Sequence, residues 1–167
     1  MNIATYDKNA HKTIANSTQD HLDKVLTGEL ISILRRFVEV SRTIDTYKKA
    51  AFYGRNIETF PNPGPADKIN TAKYRENAPF QLIHGVLGIA GESGEIVEIL
   101  LNMLEGVAPP EGTTWQELMK EELGDELWYV TVGARANETP LEDVAKYNNE
   151  KLSARWGEDT KKADFKE

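Results

Sequence analysis

The sequence predicts an all-α protein, and three observations carry that expectation. Apolar residues recur at spacings of three and four over long stretches, capping signals stand at the ends of those stretches, and no segment alternates with a period of two between turn signals.

Up to about Gly28 the chain is polar, with one short apolar patch at Leu22, Val25 and Leu26. Ser17, with Asp20 at the capping-box distance, is a candidate start for a short helix there. From Glu29 to Tyr53 the pattern turns helical. Leu30, Ile31, Leu34, Phe37, Val38, Val40, Ile44, Tyr47 and Ala51 share one face, and Gly54 is a natural stop. Pro61, Pro63, Gly64 and Pro65 then rule out regular structure in a linker. Asn77 and Pro79 start a second long helix that runs to about Glu105, before Gly106 and the Pro109-Pro110 pair. A third helix begins at Thr114, where Glu117 completes a capping box, and continues to about Ala136. Thr139, Pro140 and Glu142 supply a cap, a first-turn proline and a capping-box acid for a fourth, ending near Trp156 and Gly157. The organisation expected is an N-terminal appendage over 1–28, a helical domain over 29–157 and a charged tail over 158–167.

Composition narrows the function. The 167 residues suit one domain, and the net charge of -7 is spread with both signs interspersed. That opposes the wrapping of polymeric nucleic acid, which needs clustered Lys and Arg, but leaves room for a small phosphorylated ligand. Cysteine is absent, so disulfides and Cys-ligated zinc or iron–sulfur sites are excluded. No apolar stretch reads as a signal peptide or a membrane span, so a soluble cytoplasmic protein is the default expectation.

The second helix contains Gly85, Gly88, Gly91 and Gly94, each costing roughly 1 kcal/mol relative to Ala. Such a stripe lets a neighbouring helix or a ligand approach the backbone. The competing account, a glycine-rich loop, is opposed by the apolar period continuing through Ile96, Val97, Ile99, Leu100, Met103 and Leu104. Glu92 and Glu95 are three apart, as are Glu122 and Asp125, so each pair shares a helix face beside an apolar stripe. Glu95 and Glu122 each lie roughly 12–15 Å along their helix from the intervening turn. An antiparallel hairpin would therefore bring both pairs to one level. Four facing carboxylates need a cation, and oxygen ligands without His or Cys select magnesium, with manganese as an alternative. The competing account is a solvated acidic stripe paired to Lys and Arg. A di-iron bundle is excluded, because none of His11, His21 and His84 follows a glutamate by three.

An ExxE motif, a spacer of about 26 residues and an ExxD motif resemble the MazG-like, all-alpha nucleoside triphosphate pyrophosphohydrolases. HGVLGIAGESGEI (His84–Ile96) and EELGDELWYV (Glu121–Val130) resemble that family's second and third helices. Asn148 through Trp156 resembles the N-x-x-K-L-x-x-R-aromatic segment that follows them. Tyr47 through Arg55 resembles, more distantly, the first helix ending of phage-type members. The resemblance implies a four-helix-bundle-like all-alpha NTP pyrophosphatase domain that hydrolyses a (deoxy)nucleoside triphosphate to the monophosphate and pyrophosphate. It implies that Glu92, Glu95, Glu122 and Asp125 hold the metal and serve catalysis, that water activated there attacks the alpha phosphorus, and that the chain forms a homodimer or homotetramer. Which acid is the general base stays open, with Glu95 named first.

Lys151 and Arg155, four apart, are candidate phosphate contacts or else ordinary surface cations. Asn148, on the same face, is a candidate polar contact. Tyr129 stacks beside Asp125 or belongs to the core, His84 is a substrate contact or simply packed, and Lys48 is a phosphate contact or a partner of its helix dipole. Two alternatives accompany this reading: a related pyrophosphatase acting on phosphoribosyl-ATP or an alarmone, and a helical nucleotide-binding or oligomerisation module without turnover.

Overall fold

A computed structural model of the chain describes residues 3–11, 23–55 and 79–156. Ser17, Asp20, the proline-rich linker, Asn77, Gly157 and the charged tail lie outside the described residues. The helices with assigned bounds are α1 (Ile3–His11), α2 (Gly28–Tyr53), α3 (Phe80–Leu104), α4 (Trp115–Ala136) and α5 (Leu141–Trp156). Among the described residues there is no strand, so the protein is all-α, and no helix is long and apolar enough to cross a membrane.

The local signals set the boundaries. Gly54 takes a φ of 65°, which a side chain would disfavour, and ends α2. Pro79 precedes α3 without a side-chain cap, its carbonyl accepting from Leu82 N at 3.0 Å and Ile83 N at 3.1 Å. Thr114 and Glu117 form the reciprocal capping box at the start of α4. Pro140 closes the first turn of α5 through its carbonyl, which accepts from Asp143 N at 2.9 Å.

Two compact units divide the chain, one spanning Gly28–Asn137 and the other Met1–Thr27 with Glu138–Glu167. The second of these resumes at Glu138, whose φ of 54° places it in the left-handed region. In the second unit α1 packs on α5, and Tyr6 Oη donates to Asn148 Oδ1 at 3.5 Å.

In the first unit α3 is central and packs on both α2 and α4. Contacts run in opposite directions along each pair. Arg35 and Arg42 of α2 pair with Glu105 and Glu98, while Phe52, further on, stacks on His84. Likewise Gly88 meets Tyr129, and Ser93 bonds Glu126. Both pairings are antiparallel, as the hairpin expectation requires.

The glycines explain how three helices come so close. Steps of three residues rotate by about 60° each relative to a full turn, so Gly85 and Gly94 face roughly opposite sides of α3. A Cβ on Gly85 would stand 2.7 Å from Gly133 N, and one on Gly88 would stand 2.0 Å from the Tyr129 ring, both on α4. A Cβ on Gly94 would stand 1.7 Å from Ser41 Oγ on α2. The stripe expected on one face is thus a half-turn that serves two neighbours. Beside the apolar Val38, Ile99, Leu101 and Tyr129, the buried set contains Ser41, Lys48, His84 and Glu92. A polar interior of this kind must satisfy itself internally, since unpaired buried groups are costly.

Candidate functional site

Helix α2 carries a stripe of strict three-and-four spacing: Ile31, Leu34, Val38, Ser41, Asp45, Lys48 and Phe52. It is apolar through Val38, polar from Ser41 to Lys48 and apolar again at Phe52, yet it is the same face, and it meets α3. Glu92 sits at the middle of α3 and is only 7 % exposed. Carboxylate oxygens gather around it in two groups, each within 4.8 Å: Asp45, Glu92 and Glu95, and Glu92, Glu122 and Asp125. The four acids singled out in the sequence do come together, but as two groups that share Glu92, with Asp45 as a fifth member. Asp45 was missed because it lies in no ExxE or ExxD motif. The available signal was the continuation of an apolar stripe through Ser41, Asp45 and Lys48. Glu126 adjoins the cluster and accepts from Ser93 Oγ at 3.2 Å.

One cation is built in. Lys48 Nζ, in a residue 2 % exposed, lies 2.8 Å from Glu92 Oε1 and 2.9 Å from Asp45 Oδ1. It also sits 4.4 Å from the centroid of the Tyr129 ring. Expected as a phosphate contact or a dipole partner, Lys48 is instead committed to two of the acids. The Asp45 contact is an ion pair without hydrogen-bond alignment, which leaves the buried Oδ1 without a hydrogen-bond donor. Lys49 pairs with the other oxygen, Oδ2.

Proton affinities follow from these neighbours. Burial works against ionised Asp45, but the ammonium groups of Lys49 and Lys48 beside it outweigh it and hold the carboxyl below its usual range. Burial likewise opposes the charge of Lys48, and its bonds to Glu92 and Asp45 more than reverse this. Glu95 is pushed up by burial and then by the charges of Glu92 and Asp45. Glu122 is pushed up to about 7 by burial and then by Glu95, Glu92 and Asp125. These shifts are the signature of acids crowded together with too little positive charge. The all-oxygen donor set and the crowding of carboxylates fit a hard divalent cation. A solvated stripe does not describe Glu92.

Glu122 sets a pH dependence of stability. Its value of about 7 lies above the reference value of 4.5, so the metal-free fold binds this proton more tightly than the unfolded chain does. The stabilisation is full below about 4.5 and is lost as pH rises through about 7. Water screens this half-buried group, so the effect is on the order of 1 kcal/mol. His84, lowered by burial and then by Lys48, gives the opposite slope. The expected result is therefore a difference: from pH 5.5 to 8, metal-free wild type loses more thermal stability than Glu122→Gln, and manganese at pH 8 restores it. Parallel melting profiles for the two proteins would refute this.

The remaining candidates fall as follows. His84 is buried and stacked on Phe52 with centroids 4.1 Å apart, and its Nε2 lies 3.1 Å from Tyr53 Oη. Tyr129 is buried, with its hydroxyl 3.1 Å from the same Tyr53 Oη. Burial and the bond to Tyr53 push its phenol up to about 12. Asn148, Lys151 and Arg155 lie on α5 in the other unit, and Lys151 and Arg155 are exposed.

Residues 83–157 match the family model described as the MazG nucleotide pyrophosphohydrolase domain, and over these residues the chain is MazG-like, as the motifs implied. No curated protein and no solved structure matches the chain.

Proposed function

We propose that this MazG-like chain is a divalent-metal-dependent pyrophosphohydrolase that converts a (deoxy)nucleoside triphosphate to its monophosphate and pyrophosphate. The observation that carries the reading is Glu92, a buried carboxylate shared by two groups of acids drawn from three helices. Glu92, Glu95, Glu122 and Asp125 would hold magnesium, or manganese in its place, with Asp45 as a further oxygen donor. When bound, the metal supplies charge neutralisation for a polyphosphate and lowers the pKa of water.

The chain's own residues supply the rest. Lys48 and Lys49 hold Asp45 ionised, which keeps a donor ready at neutral pH. Glu95, with its raised proton affinity, suits acceptance of a proton from the attacking water, because a base works best when its pKa lies near the operating pH. By the resemblance, Asn148, Lys151 and Arg155 of α5 are the candidates for contacts to the phosphate tail. Exposed Leu123, Leu127 and Trp128 on α4, with Leu100 and Met103 on α3, support self-association as a homodimer or homotetramer.

The deciding experiment is a product-resolved screen of canonical and modified nucleoside triphosphates with magnesium. Monophosphate and pyrophosphate in equal amounts are expected from at least one substrate. Release of orthophosphate alone, or tight nucleotide binding with no turnover, would overturn the reading.

A further inference from the structure

Burying an ammonium group is expensive unless its charge is matched. Lys48 is 2 % exposed, and what matches it is specific. Its Nζ contacts Glu92 Oε1 at 2.8 Å and Asp45 Oδ1 at 2.9 Å. Asp45 belongs to one of the two acid groups and Glu92 to both, so the ammonium touches both groupings found among the described residues. It is also held from behind by the Tyr129 ring, 4.4 Å from centroid to Nζ. That ring is fixed in turn by the bond of its hydroxyl to Tyr53 and by edge packing on Trp128 at 4.8 Å. A surface lysine reaching for substrate phosphates would be free to swing outward. This one is enclosed and engaged on three sides.

We propose that Lys48 is the built-in counter-ion of the acid centre, a positioning residue that keeps Glu92 and Asp45 assembled before a divalent cation arrives. The role rests on reading the acids as a divalent-cation centre. It makes the two cations partial substitutes, since each neutralises the same carboxylates. A thermodynamic cycle then fixes the sign of the effect. If loss of the ammonium harms the metal-free fold more than the metal-loaded fold, the protein lacking it must bind metal more tightly.

The test uses the full chain without nucleotide and compares wild type with Lys48→Met, which keeps the stem and removes the charge. Free manganese is followed by electron paramagnetic resonance and unfolding by thermal melts. Lys48→Met is expected to melt several degrees lower than wild type in chelator. Manganese should recover most of that loss, and the variant's affinity for manganese should rise on the order of tenfold. Should Lys48→Met fail to fold in chelator, Lys48→Met combined with Asp45→Asn, which removes a negative charge along with the positive one, is expected to fold. Failure of that double variant as well, with one charge of each sign removed, would overturn the counter-ion role. Equal thermal loss with and without manganese would likewise overturn the counter-ion role, as would unchanged or weaker manganese affinity. Unchanged melting and affinity with an impaired KM for nucleotide would return Lys48 to substrate contact. Wild type that binds no manganese would instead overturn the metal reading, and the counter-ion role with it.

Discussion

Glu92→Gln is expected to lower both divalent-metal affinity and pyrophosphohydrolase turnover by about 100-fold or more, a larger loss than the 10- to 100-fold typical of outer-shell partners of a metal. Glu92 stands in both acid groups, so its loss weakens each of them, whereas Asp125→Asn or Asp45→Asn touches one. Glutamine preserves the volume, and its amide oxygen can still accept from Lys48, which keeps Asp45 as its charged partner at 2.9 Å. The variant should therefore remain helical by circular dichroism while losing metal binding in a manganese titration. Retained manganese affinity in a folded Glu92→Gln protein would remove Glu92 from the centre, and with it the observation on which the functional reading stands.

Gly88→Ala carries a large expected effect on stability. In an exposed helix the change would gain about 1 kcal/mol from helix propensity. Here the new Cβ would stand 2.0 Å from Tyr129 Cδ1, far inside contact distance. The ring cannot easily yield, since Tyr53 bonds its hydroxyl, Lys48 lies over its face and Trp128 packs against it. Overpacking costs typically 1–3 kcal/mol and sometimes more, so a net loss of about 2 kcal/mol is expected, together with displacement of Tyr129 and Lys48. Gly124→Ala provides the contrast: it lies within α4, and a Cβ there meets nothing within 4 Å. That variant should gain up to about 1 kcal/mol. Thermal melts of the two proteins decide the matter, and equal shifts would show that the glycines of α3 answer to propensity and not to packing.

Much of this molecule was legible because its signals are local. The start of α4 needs only Thr114 and Glu117, three residues apart, and the end of α2 needs only a glycine able to take positive φ. The pairs Glu92 with Glu95 and Glu122 with Asp125 follow from the helical repeat. Their common level follows from the antiparallel hairpin of two helices joined by a short connection. Other features escaped because they are relations between helices. Asp45 carries no motif of its own, and Lys48 looks like any lysine near a helix end until α3 is laid against α2. The stripe of glycines was visible, but its half-turn matters only once each side has a neighbour, Ser41 on one and Tyr129 on the other.

By itself, then, the sequence determined the four longer helices and the two acidic pairs, since periodicity and capping act over three or four residues, but not α1 (Ile3–His11), which lies in a stretch read as polar. The tertiary structure decided that the acids form two groups meeting at Glu92, that Asp45 joins them and that Lys48 lies buried among them. The contact between Lys48 and Glu92 alone spans 44 residues of chain. Nothing in a single helix dictates these contacts. They exist because the glycines let three backbones approach closely enough for charges on separate helices to share one small volume.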